Sequence, residues 1–228
     1  MTTPNDLTGS TALPQLTLGD GPSVVLCDPH ARGAEQFRAL RNTLALRWFK
    51  HPEGARTLAV VSPTEHEGQG AIAANLGIAF AQVGYQTLLI DADMGASSPH
   101  RSFNVGGNLG LAGYLAGAGG DVPLYGLDSI PNLAVIPLGD VPINPQDLLV
   151  GGIFQNLLND ARQRFEVILI NTQPMSVAGD YLLIGADAEG VLIVTVNGQT
   201  RARDAEKLAN DCREFGIRIV GAVMLDLA

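Results

Sequence analysis

The chain has 228 residues, of which 46% are hydrophobic and 16% charged, and its formal net charge is −9. Length and apolar content fit one globular domain with a substantial core and exclude a disordered chain. The acidic balance argues against a nucleic-acid partner, since gripping phosphates takes clustered lysine and arginine, and no apolar run reaches the ~18 residues of a membrane-spanning helix.

Residues 1–22, rich in Thr, Pro, Gly and Asp, read as a flexible tail. The domain is expected over 23–228, starting with a short strand at 23–27 and a turn at Asp28-Pro29. Helical spacing over 34–49 puts Phe37, Leu40, Leu44 and Trp48 on a core face. Glu35, Arg38 and Arg41, at i, i+3 and i+6, lie along the same helix. An apolar strand at 58–61 enters a glycine-containing loop, 64–70. A helix follows with Ile72, Leu76, Ala79, Phe80 and Val83 inward, then a strand at 87–90 ending in Asp91-Ala92-Asp93. Strand, glycine loop, helix, strand and acidic tip form the first half of a nucleotide-binding α/β domain.

Beyond it come a loop at 94–108, a short helix at 109–116 and a glycine break at 117–120. A strand at 133–137 leads into a proline-stiffened loop, 139–145. A helix over 146–163 should break near Gly151-Gly152. The apolar run 165–171 is expected as the central strand. It ends in Asn171-Thr172-Gln173-Pro174. A short helix at 180–185 and a strand at 191–196 precede a helix at 200–215, with Ala205, Leu208, Ala209, Cys212 and Phe215 inward, and a last strand at 217–225. The fold class is therefore α/β, a parallel sheet with helices on both faces. No secretory leader is visible. Cys27 and Cys212 read as core residues without a disulfide, which points to a reduced, cytoplasmic setting.

Several segments taken together resemble the cytoplasmic kinase domain of bacterial tyrosine kinases, relatives of the partitioning and division-site P-loop ATPases, and the resemblance implies a P-loop NTPase-like form of the sheet. Glu35-Gln36-Phe37-Arg38-Ala39-Leu40-Arg41 is similar to the family's ExxRxxR helix, which implies self-association through Glu35, Arg38 and Arg41. Leu89-Ile90-Asp91-Ala92-Asp93-Met94 is similar to its second acidic motif, with His100 and Phe103 at the family's spacing. Residues 139–149 resemble its GxxPxNPxELL segment, and 194–201 its VxxGxTR strand exit.

The departures fall on the chemistry. A working P-loop reads GxxxxGK[ST]: backbone N–H groups hold phosphate, the lysine reaches the β- and γ-oxygens and the hydroxyl binds Mg²⁺. The matching residues are Glu65-His66-Glu67-Gly68-Gln69-Gly70-Ala71. His66 stands for a glycine, Gln69 for the lysine, Gly70 for the hydroxyl residue and Ala71 for the threonine after it. Glu67 fits a tolerant slot, and Glu65 adds a negative charge. No other register supplies a cation, because the chain has no lysine between Lys50 and Lys207. The family's DTPP motif is Asn171-Thr172-Gln173-Pro174, and the amide of Asn171 cannot replace a magnesium-supporting carboxylate. Leu225 takes the place of an asparagine near the base site. Each preorganised charge contact in phosphoryl transfer is worth roughly 2–4 kcal/mol. Losing three therefore costs on the order of 6 kcal/mol, at least a ~10⁴-fold rate loss. Asp91 and Asp93 remain as a vestigial magnesium pair.

The resemblance thus implies a catalytically degenerate member with no cofactor. It would act as an oligomeric scaffold or regulator in exopolysaccharide or capsule biosynthesis and export. Partners would be a membrane chain-length-determinant protein or an active homologous kinase, which would recruit it to the inner face of the membrane. Tyr85, Tyr114, Tyr125 and Tyr181 are scattered and form no terminal tyrosine cluster. Two alternatives stay open. One is an active ATP- and Mg-dependent tyrosine kinase using Asp91 and Asp93 with Arg101 or Arg201 of a neighbouring subunit. The other is a partitioning-ATPase-like positioning module. A metal held by His66 between Glu65 and Glu67 is not expected, because adjacent loop residues rarely converge on one ion.

Overall fold

The computed structural model describes residues 32–50, 55–65, 68–95, 110–117, 121–141 and 147–226. The expected strand at 23–27, the turn at 28–29, nearly all of the 94–108 loop, residues 142–145, His66, Glu67 and Cys27 lie outside them.

Helix α1 (Arg32–Leu44) runs into a π-helical turn, Ala45–Phe49. Strand β1 (Thr57–Val61), helix α2 (Gln69–Ala81) and strand β2 (Thr87–Ala92) make the first βαβ unit. Helix α3 (Leu111–Leu115) precedes the hairpin of β3 (Tyr125–Leu127) and β4 (Ile130–Ile136). Helices α4 (Asp147–Val150) and α5 (Ile153–Arg162) meet at Gly152, whose φ of +76° suits glycine and ends the first of them. Then come β5 (Val167–Thr172), α6 (Asp180–Asp187), β6 (Val191–Val196), α7 (Ala202–Glu214) and β7 (Ile219–Leu225).

The seven strands lie in the order β3-β4-β2-β5-β1-β6-β7. As the apolar run implied, β5 is the middle strand. Successive side chains point to opposite faces. Leu58 and Val60 of β1 join Leu76, Ile78 and Phe80 of α2 and Leu44 and Trp48 in one core layer. Ala59 and Val61 join Leu111, Phe154, Leu157, Ile184, Leu208 and Cys212 in the other.

Four expectations need correction. The sheet is not wholly parallel: β3, absent from the sequence reading, pairs antiparallel with β4 at one edge. A three-residue strand is too short to carry a periodic signal. Val83 is 52% exposed rather than inward, because α2 ends at Ala81 and Val83 sits in the turn beyond it. Phe215 is likewise 62% exposed, as the C-cap of α7. Eleven of the 13 residues of α2 are buried, since α1 packs against it in addition to the sheet. One inward stripe was therefore too narrow a description.

Candidate functional site

The candidate site lies where the carboxyl ends of β1, β5 and β2 meet the start of α2. Register assembles it. Asp91 of β2 pairs with Asn171 of β5, Ala92 with Thr172, and Val60 of β1 with Asn171. Distant segments of sequence thereby become neighbours.

Gln69 opens α2 and is only 4% exposed. Its side chain turns into the sheet instead of toward the loop. Nε2 donates to the Val60 carbonyl at 2.7 Å, the Thr172 carbonyl at 2.9 Å and Thr172 Oγ1 at 3.1 Å. The Ser62 hydroxyl donates to Gln69 Oε1 and also reaches the Thr64 carbonyl at 3.0 Å. Thr172 Oγ1 lies 3.0 Å from the Val60 carbonyl. The amide thus ties β1, β5 and the helix start together.

Gly68 is the N-cap of α2. A Cβ built on it would fall 2.3 Å from Leu225 Cδ1, so the Leu225 side chain closes over the loop's glycine. Gly70 faces Asn171, whose Nδ2 lies 3.5 Å from where a Cβ would be. Ala71 and Glu65 are exposed.

The acidic tip is bonded within itself. Asn171 Nδ2 donates to Asp91 Oδ1 at 3.1 Å. The Asp93 N–H donates to Asp91 Oδ1 at 3.3 Å, and the Gly95 N–H to Asp93 Oδ1 at 3.2 Å. Asn171 Oδ1 is buried with no hydrogen-bond partner among the described residues. With the Gln173 amide oriented to satisfy its neighbours, its oxygen accepts from the Gly95 N–H at 2.7 Å and its nitrogen donates to Asp180 Oδ2 at 3.2 Å. Asp180 is 2% exposed, and burial pushes its carboxyl above the ordinary carboxylate range. Ser62 and Asp180 were not anticipated as members of this cluster. A signal existed only for Asp180, an acidic residue in the first turn of the helix that follows Asn171-Thr172-Gln173-Pro174. Among the described residues, no group of three or more His, Cys, Asp or Glu could hold a metal ion.

The second predicted set lies elsewhere. On α1, Glu35 is exposed and Arg38 and Arg41 are half-buried. Arg41 donates through Nη1 to the Ala79 carbonyl at 3.2 Å and through Nη2 to Asn42 Oδ1 at 2.8 Å. Burial, and then the Arg38 charge, lower its pKa from the usual guanidinium value. Arg41 is thus partly engaged within its own chain.

No family model matches the chain. The tyrosine-protein kinase CpsD of Streptococcus agalactiae is 30% identical to it over 191 residues, spanning 83% of this chain and 82% of that protein. The chain belongs to the bacterial tyrosine-protein kinase family. The tyrosine-protein kinase YwqD of Bacillus subtilis is 25% identical over 201 residues, covering 88% of this chain and 84% of YwqD. Among solved structures, the chimerical protein CapA2B2 superposes with a TM-score of 0.80 at 26% identity, covering 94% of each chain. The kinase domain of the Escherichia coli tyrosine kinase ETK shares the fold, with a TM-score of 0.82 at 24% identity over 98% of this chain and 84% of that one. A ParA family ATPase from Chlorobium tepidum shares it more distantly, at a TM-score of 0.58 and 18% identity over 76% of this chain and 74% of that one. Among the described residues, no helix of this family member is long and apolar enough to cross a membrane.

Proposed function

We propose that this chain is a catalytically silent member of the bacterial tyrosine kinase family, an oligomeric cytoplasmic scaffold or regulator in capsule or exopolysaccharide biosynthesis and export. One observation carries the reading: the residue in the lysine slot, Gln69, spends its amide on Val60 and Thr172 inside the sheet. ATP and magnesium do not fit what surrounds it. Gly70 has no hydroxyl for the metal. The amide of Asn171 already meets Asp91. Leu225 covers Gly68, where the backbone must approach phosphate. Without a side-chain cation, Asp91 and Asp93 repel a triphosphate.

Function then rests on assembly. Self-association would use the helix carrying Glu35, Arg38 and Arg41, and a membrane chain-length-determinant protein or an active homologous kinase would bring the chain to the membrane. Calorimetric titration with Mg-ATP and Mg-ADP tests the silent site, with no saturable heat expected. Micromolar binding with measurable turnover would overturn it. The persistence of Asp91 and Asp93 at the end of β2 favours a second reading, an active kinase completed by an arginine of a neighbouring subunit. Transfer of labelled phosphate from ATP to tyrosine, lost in Asp93→Ala, would establish that reading instead.

A further inference from the structure

At the other end of the sheet, where β1, β6 and β7 begin, Arg47, Trp48, Ala55, Glu189, Arg218, Ile219 and Val220 line a half-open cleft of about 530 Å³. That volume suits a few side chains or a small ligand.

The π-helical turn builds one wall. It closes with the Lys50 N–H on the Ala45 carbonyl at 2.8 Å. Such turns are rare in helices and cluster at functional sites. Here the turn directs Trp48 inward, 5% exposed, with its indole N–H on the Thr57 carbonyl at 3.3 Å, and leaves Arg47 exposed. From the opposite wall, the Arg218 guanidinium lies over the Trp48 ring, 5.4 Å from its centroid.

Charge within the cleft is unbalanced. Glu189 is already answered: its Oε2 accepts from the N–H groups of Arg56 at 2.6 Å and Thr57 at 2.8 Å, and Arg162 Nε lies 3.6 Å away. No carboxylate among the described residues pairs with Arg47 or Arg218. Two guanidinium groups over an apolar floor of Trp48, Ala55, Ile219 and Val220 therefore stand out on a chain of net charge −9. Arginine is the side chain best shaped to take a carboxylate bidentately while its flat face stacks on an aromatic ring.

We propose that this cleft docks an acidic, hydrophobic peptide segment of a partner protein, its carboxylates on Arg47 and Arg218 and an apolar side chain against Ala55, Ile219 and Val220. Two arginines on an acidic chain are too few for a nucleic-acid backbone. The site is separate from the loop near Gln69 and does not depend on whether that loop is silent.

Trp48 is the chain's only tryptophan, so its emission reads the cleft directly. The probe is the blocked tetrapeptide Asp-Leu-Glu-Phe, titrated into the full chain, with calorimetry in parallel so that a changed emission baseline in a variant does not confuse the constant. A saturable change is expected. Arg47→Ala and Arg218→Ala, both at exposed positions, should each weaken binding about tenfold, and added salt should weaken it further. Four results would overturn the proposal: no saturable signal up to about millimolar peptide; an equal response to the Asn-Leu-Gln-Phe analogue; unchanged affinity in both arginine variants; or equally tight binding of inorganic pyrophosphate, which would make the cleft an anion site.

Discussion

Consider truncation of Gln69 to alanine. The amide donates to three acceptors, on Val60 and Thr172, and accepts from Ser62. Two of those groups have fallbacks in the folded chain: Ser62 reaches the Thr64 carbonyl and Thr172 Oγ1 reaches the Val60 carbonyl. The Thr172 carbonyl and one contact of Val60 lose their donor without replacement. At about 1 kcal/mol net per hydrogen bond, rising to ~1–3 kcal/mol for a buried group left unpaired, Gln69→Ala should destabilise by about 2–4 kcal/mol. Urea unfolding followed by circular dichroism measures this as a fall in midpoint at unchanged slope. A loss below about 0.5 kcal/mol, the range of an ordinary surface substitution, would mean that the amide is not held in the sheet, and the case for a closed loop would fall with it.

Two further outcomes follow from the same interior. The buried Asp180 carboxyl holds its proton more tightly when folded than when unfolded. The native state therefore binds more protons over that window, and stability declines as pH rises from the ordinary carboxylate range through the raised pKa. Asp180→Asn should remove this decline, so urea midpoints should favour the parent most at low pH, and a gap in the parent's favour that widens with pH would contradict the assignment. Phe154 of α5 is fully buried, and Phe154→Ala should cost about 3–5 kcal/mol by calorimetric or urea unfolding, a loss under ~1 kcal/mol being incompatible with its packing.

How much could be foreseen depended on the kind of information each residue carries. The apolar run before Asn171 placed β5 at the sheet centre because only a strand covered on both faces is apolar throughout. The break at Gly152 was legible because glycine marks a backbone conformation directly. That the segment between β1 and α2 contains no lysine was equally plain. The destination of the Gln69 side chain was not, since the sequence records which residue opens α2 without recording which carbonyls lie within its reach. Ser62 and Asp180 escaped for the same reason: each becomes part of the cluster only through strand register and the fold of a neighbouring segment. Val83 and Phe215 were misplaced because periodicity says which way a residue would face but not where the helix stops.

The position of β5 also has a temporal side. β1 and β2 are consecutive strands, yet they never pair with each other; each waits for β5, with Thr57 opposite Ile168 and Thr87 opposite Val167. A nascent chain that has released only its first βαβ unit holds two apolar strands separated by an empty lane. The lane fills only when residues more than a hundred positions after β1 emerge from the ribosome. Loops of that length close slowly, and the exposed strand edges invite wrong partners meanwhile. Synthesis of this protein therefore passes through a long interval in which two apolar strands are made but unsheltered.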